Sequence, residues 1–97
     1  MAKVSVIATI KAKDGRGDDI VNAFNAAAPI VRQEAGTEAY GLHRNANDPN
    51  VLYVIEIYSD QAAFDAHMTG EGVKAFGSGL GDAIDSFDMQ FATPLGG

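Results

Sequence analysis

Few side chains in this sequence can move a proton near neutral pH. There are two histidines, His43 and His67, and no cysteine, so thiolate chemistry, disulfides and zinc–thiolate sites are absent together. His67 closes the segment Ala62-Ala63-Phe64-Asp65-Ala66-His67. Its imidazole is the leading candidate for acid–base work or for orienting a substrate. The alternative is a structural helix residue bonded to Glu56 or to a backbone carbonyl. Glu56 stands among apolar neighbours in Val54-Ile55-Glu56-Ile57-Tyr58, so burial with a partner is expected. A raised pKa and a charge pair with His67, Arg44 or Arg32 are both open. Tyr40 and Tyr53 could offer phenol hydroxyls to a ligand, or serve as core or interface residues with satisfied hydroxyls. Phe64 and Phe76, like Phe24, read as apolar helix residues, and as substrate-binding walls if a pocket lies between them.

Other chemistries are excluded by spacing. The histidines fall in different elements, without an HExxH or an Asp-rich loop, so no metal site is expected. Gly70, Gly72, Gly77, Gly79 and Gly81 do not form GxGxxG after a strand, and Ser78 lies in Gly77-Ser78-Gly79 rather than in a nucleophile elbow. A formal charge of −6 with no Lys/Arg stripe repels phosphate backbones, so nucleic acid is not an expected partner. The same field favours neutral or apolar ligands. The opening Met1-Ala2-Lys3-Val4-Ser5-Val6 lacks the long apolar stretch of a signal peptide, and no segment approaches a membrane span. A cytoplasmic location without membrane contact is therefore expected.

These residues must be positioned by a chain of 97 residues, the size of one domain. Val4, Val6, Ala8, Ile10 and Ala12 alternate with Ser5, Ile7, Thr9 and Lys11, which predicts a strand over 4–12. Asp14 to Asp19 supplies turn residues and an Asp N-cap. Ile20, Phe24, Ala27, Ala28 and Val31 then recur at helical spacing, with Asn22 and Asn25 toward solvent. Pro29 predicts a kink in this helix, and Gly36 is a natural residue to end it. Strands over 37–44 and 51–58 flank the turn-forming run Asn45-Ala46-Asn47-Asp48-Pro49-Asn50, the signature of an antiparallel hairpin. Ser59 or Asp60 caps a helix through about Met68, and Gly70 ends it. A glycine-rich second segment over 71–80 is weak by propensity. The last strand runs over 84–92, with Phe87, Met89 and Phe91 on one face.

The order β-α-β-β-α-β predicts an α+β, ferredoxin-like domain, a four-stranded antiparallel sheet with its helices on one face. Val51–Tyr58 is apolar on both faces and should be buried on both. Helices cover only one, so a second copy of the sheet is the simplest cover for the other, and a homodimer through sheet-to-sheet packing is expected.

Beyond periodicity, the run Glu34-x-Gly36-x-x-x-Tyr40, Asp48-Pro49, Val54-Ile55-Glu56-Ile57-Tyr58-Ser59-Asp60, Ala62-Ala63-Phe64-x-x-His67 and Phe76 resembles the antibiotic biosynthesis monooxygenase family. The likeness spans roughly residues 4–92. It implies a dimeric α+β barrel, with a ligand pocket in each subunit between sheet and helices, and oxygenase chemistry that uses no metal, flavin or haem cofactor. A small aromatic substrate of the quinol or anthrone type, once deprotonated, can pass an electron to O₂ itself. Such a site needs a base, hydrogen-bond donors and apolar walls. His67 and Glu56 are then the expected catalytic residues, and Tyr40, Tyr53, Phe64 and Phe76 the expected substrate contacts. Haem-degrading relatives depend on an Asn in the first strand and a Trp on the second helix. Residues 4–12 hold no Asn and the chain no Trp, which disfavours that branch. An isomerase or lyase on the same scaffold, and a non-enzymatic small-ligand-binding dimer, are the alternatives.

Overall fold

The computed structural model describes residues 2–96. Its elements are β1 (Val4–Ala12), α1 (Gly17–Arg32), β2 (Thr37–Arg44), β3 (Val51–Tyr58), α2 (Gln61–Met68), α3 (Glu71–Leu80) and β4 (Ile84–Ala92). The strands form one antiparallel sheet in the order β2-β3-β1-β4. The expected ferredoxin-like plan is present, and the weak glycine-rich segment is a helix of its own. No helix among the described residues is long and apolar enough to cross a membrane.

Strand alternation divides the sheet into two unlike faces. Toward the helices point Val6, Ala8 and Ile10 of β1 and Leu52, Val54, Glu56 and Tyr58 of β3, all buried. Ala8, Ile10, Leu52 and Val54 pack under Ile20, Phe24, Ala28 and Val31 of α1, and Val6 and Tyr58 pack with Phe64 of α2. The register pairs Val6 with Phe91, Ala8 with Met89 and Ile10 with Phe87, so these β4 residues share the helix-side face. The helices stop short of this outer strand and leave Phe87 51% and Phe91 58% exposed. The opposite face carries Ile7, Val51, Tyr53, Ile55 and Ile57, and no helix among the described residues covers it. Ile7 is 40% and Ile55 42% exposed there, so β3 is not buried on both faces by its own chain.

Local interactions set the boundaries. In the β2–β3 hairpin, Asn45 Oδ1 accepts from the backbone N–H groups of Asn47 and Asp48, and Asp48 Oδ1 from that of Asn50. These side chains hold the turn that their types predict. α1 lacks the expected Asp cap. It starts at Gly17 with Arg16 before it and no side-chain cap bond, while Asp18 and Asp19 lie in its first turn and complement the helix dipole. A Cβ at Gly17 would run into the Pro49 carbonyl oxygen, so glycine lets the hairpin lie against the start of the helix. The helix continues past Pro29 to Arg32, and Gly36 lies beyond its end, in the turn into β2. Gly36 has φ +85, a conformation that favours glycine.

The α3 glycines have a packing reason. A Cβ on Gly72 would overlap Val31 Cγ2, and one on Gly79 would sit 2.9 Å from the Ala23 methyl carbon. Removing both side chains lets α3 lie close along α1. Their cost in helix propensity is about 1 kcal/mol each.

Candidate functional site

The gap between the sheet and the α2–α3 pair holds a cavity of about 150 Å³. Its floor is Ala8 and Ile10 of β1, Val54 of β3, and Phe87 and Met89 of β4; Met68, Val73 and Phe76 form the helix side. Tyr40, Glu56 and His67 supply its polar groups. A wider groove of about 440 Å³ runs between α1 and β2. Its charged residues Arg32, His43 and Arg44 are all exposed, so the smaller cavity has the environment that perturbs titratable groups.

His67 reaches this cavity because α2 is pinned at both ends. Asp60 Oδ1 accepts from the Ala63 N–H at 2.8 Å and caps the first turn. Gly36 lets α2 press onto the α1–β2 turn, since a Cβ there would lie 2.5 Å from the Ala63 methyl carbon. A Cβ at Gly70 would lie 2.5 Å from Glu34 Oε2. Glycine at 70 therefore leaves room for the Glu34 carboxylate beside the last turn of α2.

The His67 ring is 4% exposed and sits between two carboxyl groups. Its Nδ1 is 2.8 Å from Glu34 Oε1 and its Nε2 is 3.6 Å from Glu56 Oε1. A carboxylate only accepts, so Nδ1 carries the hydrogen in the neutral ring and Nε2 is left as an acceptor. The 3.6 Å separation from Glu56 is too long for a direct hydrogen bond. Glu56 Oε1 instead accepts from the Tyr58 hydroxyl at 2.5 Å.

Burial pushes the Glu56 pKa up, against the opposing pull of the Tyr58 hydroxyl and of His67, and so favours the neutral acid. Burial, reinforced by Glu56, also raises the hydroxyls of Tyr40 and Tyr58. Both phenols stay protonated at neutral pH. Tyr40 stacks on Phe24 with ring centres 4.9 Å apart, and Phe76 meets Phe24 edge-on at 6.3 Å. The arrangement can hold an apolar ring and exchange one proton at its polar end.

The structure brings His67, Glu56, Tyr40 and Phe76 together around one cavity. Phe64 stands behind His67, at 6.5 Å between ring centres, in a cluster with Val6 and Tyr58, and does not line the cavity. Tyr53 corrects the expectation placed on it. It is three residues from Glu56 and so faces the uncovered side of β3, where its hydroxyl accepts from Asn45 Nδ2 at 2.8 Å. Neither arginine reaches Glu56: Arg32 donates to the Tyr40 carbonyl oxygen and Arg44 to Asp18.

Glu34 and Tyr58 are the members of the site to which sequence reasoning gave no role. The signal was present in Glu34-x-Gly36 and in the shared face of Glu56 and Tyr58. Among the described residues no three His, Asp or Glu side chains cluster in a way that could hold a metal ion.

The cavity can be set beside known proteins. No curated protein matches the chain. Among solved structures, a Pseudomonas aeruginosa protein superposes with a TM-score of 0.89 at 27% identity, covering 99% of this chain and 97% of its own. A proposed antibiotic biosynthesis monooxygenase from Caulobacter crescentus gives 0.89 at 23% identity, covering 98% and 92%. A Mycobacterium tuberculosis protein gives 0.87 at 22%, covering 99% and 98%. The last two likenesses concern the fold. The family model described as antibiotic biosynthesis monooxygenase matches residues 3–78, which hold Glu34, Tyr40, Glu56, His67 and Phe76. By that match, over most of its length, the chain belongs to the antibiotic biosynthesis monooxygenase family.

Proposed function

We propose that the protein is a monooxygenase that oxidises a small, neutral aromatic alcohol of the quinol type with O₂ in the cavity between sheet and helices. The observation that carries this reading is an apolar cavity whose polar end holds a buried imidazole beside a carboxyl group that favours its neutral form. His67 Nε2 takes the phenolic proton, and Glu56 beside it donates a hydrogen bond to developing charge on oxygen. The ring anion gives one electron to O₂. Recombination at a ring carbon yields a hydroperoxide, and loss of water leaves a quinone. One oxygen atom enters the ring and the other departs as water, so the substrate itself supplies both electrons.

The uncovered face around Ile7, Ile55 and Ile57 supports a second copy of the chain as partner. A homodimer packed through this face is part of the proposal.

Oxygen uptake with a panel of quinols, phenols and anthrones, with product identified by mass, tests the reaction. Turnover that vanishes without O₂ and drops on the order of 10²–10⁴-fold in His67→Ala is expected. Full activity in that variant refutes the assignment. Turnover that continues under nitrogen points to an isomerase or lyase on the same scaffold.

A further inference from the structure

The polar end of the cavity has more specific geometry than an aromatic alcohol requires. His67 Nε2 and the Glu56 carboxyl stand 3.6 Å apart, too far to bond each other and close enough to serve two atoms of one ligand. They differ in kind. Glu34 Oε1 lies 2.8 Å from Nδ1, so the neutral ring that donates to it presents Nε2 as an acceptor. Glu56 already accepts the Tyr58 hydroxyl on Oε1, and burial favours its neutral acid, the form that can also donate. The space beyond them is small and lined mostly by apolar side chains. At about 150 Å³, lined by Ile10, Val54, Phe76 and Met89, it matches the size of an apolar cavity known to hold benzene.

We infer that the site recognises a single aromatic ring with oxygens on neighbouring carbons, one hydroxyl donating to His67 Nε2 while the second oxygen accepts from Glu56. A para-hydroquinone puts its second oxygen at the far, apolar end, against Phe76 and Met89. A plain phenol satisfies only one of the two protein groups. Ring carboxylates are disfavoured by Glu34 and the chain's charge of −6. The inference rests on the proposed function for the choice of cavity, and narrows its substrate class to uncharged 1,2-dioxygenated rings.

Binding under nitrogen, without turnover, tests it. Catechol, resorcinol, hydroquinone and phenol are titrated into the intact protein and followed by calorimetry and by the shifts of Tyr40 and His67 in NMR spectra. Catechol is expected to bind about tenfold more tightly than hydroquinone or phenol, the worth of one additional buried hydrogen bond. In His67→Phe the preference disappears; in Glu56→Gln, whose amide still donates, it persists. Equal affinity for the isomers overturns the inference, as does a preference that survives His67→Phe. If His67→Phe does not fold, the isomer series on the parent protein decides alone. Catechol selectivity without O₂ uptake in air overturns the oxygenase reading and leaves the two-point site standing. O₂ uptake without selectivity does the reverse.

Discussion

Replacing one glycine of α3 at a time separates packing from propensity, because the same substitution should act with opposite sign five residues apart. At Gly72 an added methyl group would overlap Val31 Cγ2 and lie 3.3 Å from Val31 N and 3.4 Å from its Cα, so part of what must give way is helix backbone. Overpacking of this kind costs about 1–3 kcal/mol, and the better helix propensity of alanine returns at most about 1 kcal/mol. Gly72→Ala should therefore destabilise the fold by roughly 1–2 kcal/mol. For a domain of this size that is a fall in Tm of roughly 5–10 °C.

At Gly77 nothing lies within 4 Å of the new carbon, and the residue is exposed. Gly77→Ala should raise stability by about 0.5–1 kcal/mol. Thermal and urea unfolding of both variants at one protein concentration is the assay. Because α3 also carries Val73 and Phe76, moving it off α1 should enlarge the cavity and weaken ligand binding in Gly72→Ala alone. A Gly72→Ala protein as stable as the parent would refute the claim that these glycines exist to seat α3 on α1.

Other perturbations follow from the same contacts. Glu56 has its folded pKa raised above the unfolded value, so the stability it contributes is complete below the ordinary glutamate range and is lost as pH rises through the folded pKa. Glu56→Gln lacks that loss, and its stability relative to the parent should climb with pH in urea titrations from pH 4 upward; a constant difference contradicts the buried neutral acid. Tyr58→Phe leaves Glu56 without its donor and should cost about 1–3 kcal/mol in the same assay. Tyr53→Phe removes only the bond from Asn45 on the other face and should leave turnover unchanged. Ile55→Lys puts a charge on the uncovered face without disturbing the helix-side core. Sedimentation should find monomers with native circular dichroism, and a variant that stays dimeric at nanomolar concentration removes the sheet face as the interface.

The strands, their order and both faces of β3 could be read from alternation and from the Asn45–Asn50 turn, because these are local signals of period two. Alternation also puts Tyr53 and Glu56 on opposite faces. It does not say which face the helices choose, and that choice removes Tyr53 from the cavity. Glu34 escaped assignment for a different reason. It precedes His67 by 33 residues, and the two meet only because glycines at 36 and 70 let α2 settle against the α1–β2 turn. Glu34-x-Gly36 marks the turn, but its spacing does not name His67 as the partner. The start of α1 shows the same limit: Asp18 and Asp19 invite a cap, yet the helix starts before them at Gly17, where the distant Pro49 leaves no room for a side chain.

The pairing of β4 with β1 has a bearing on how the protein comes into being. Ser5 lies opposite Ala92, so this ladder closes a far longer loop than the β2–β3 hairpin does. Contacts so distant in sequence slow folding and form after the local hairpin has had time to assemble. Phe87 and Met89, which wall the cavity, arrive with that last strand. A nascent chain emerging from the ribosome can build the hairpin and seat His67 before it has anywhere to hold a substrate. Competence to bind is thus acquired only once β4 has joined the sheet.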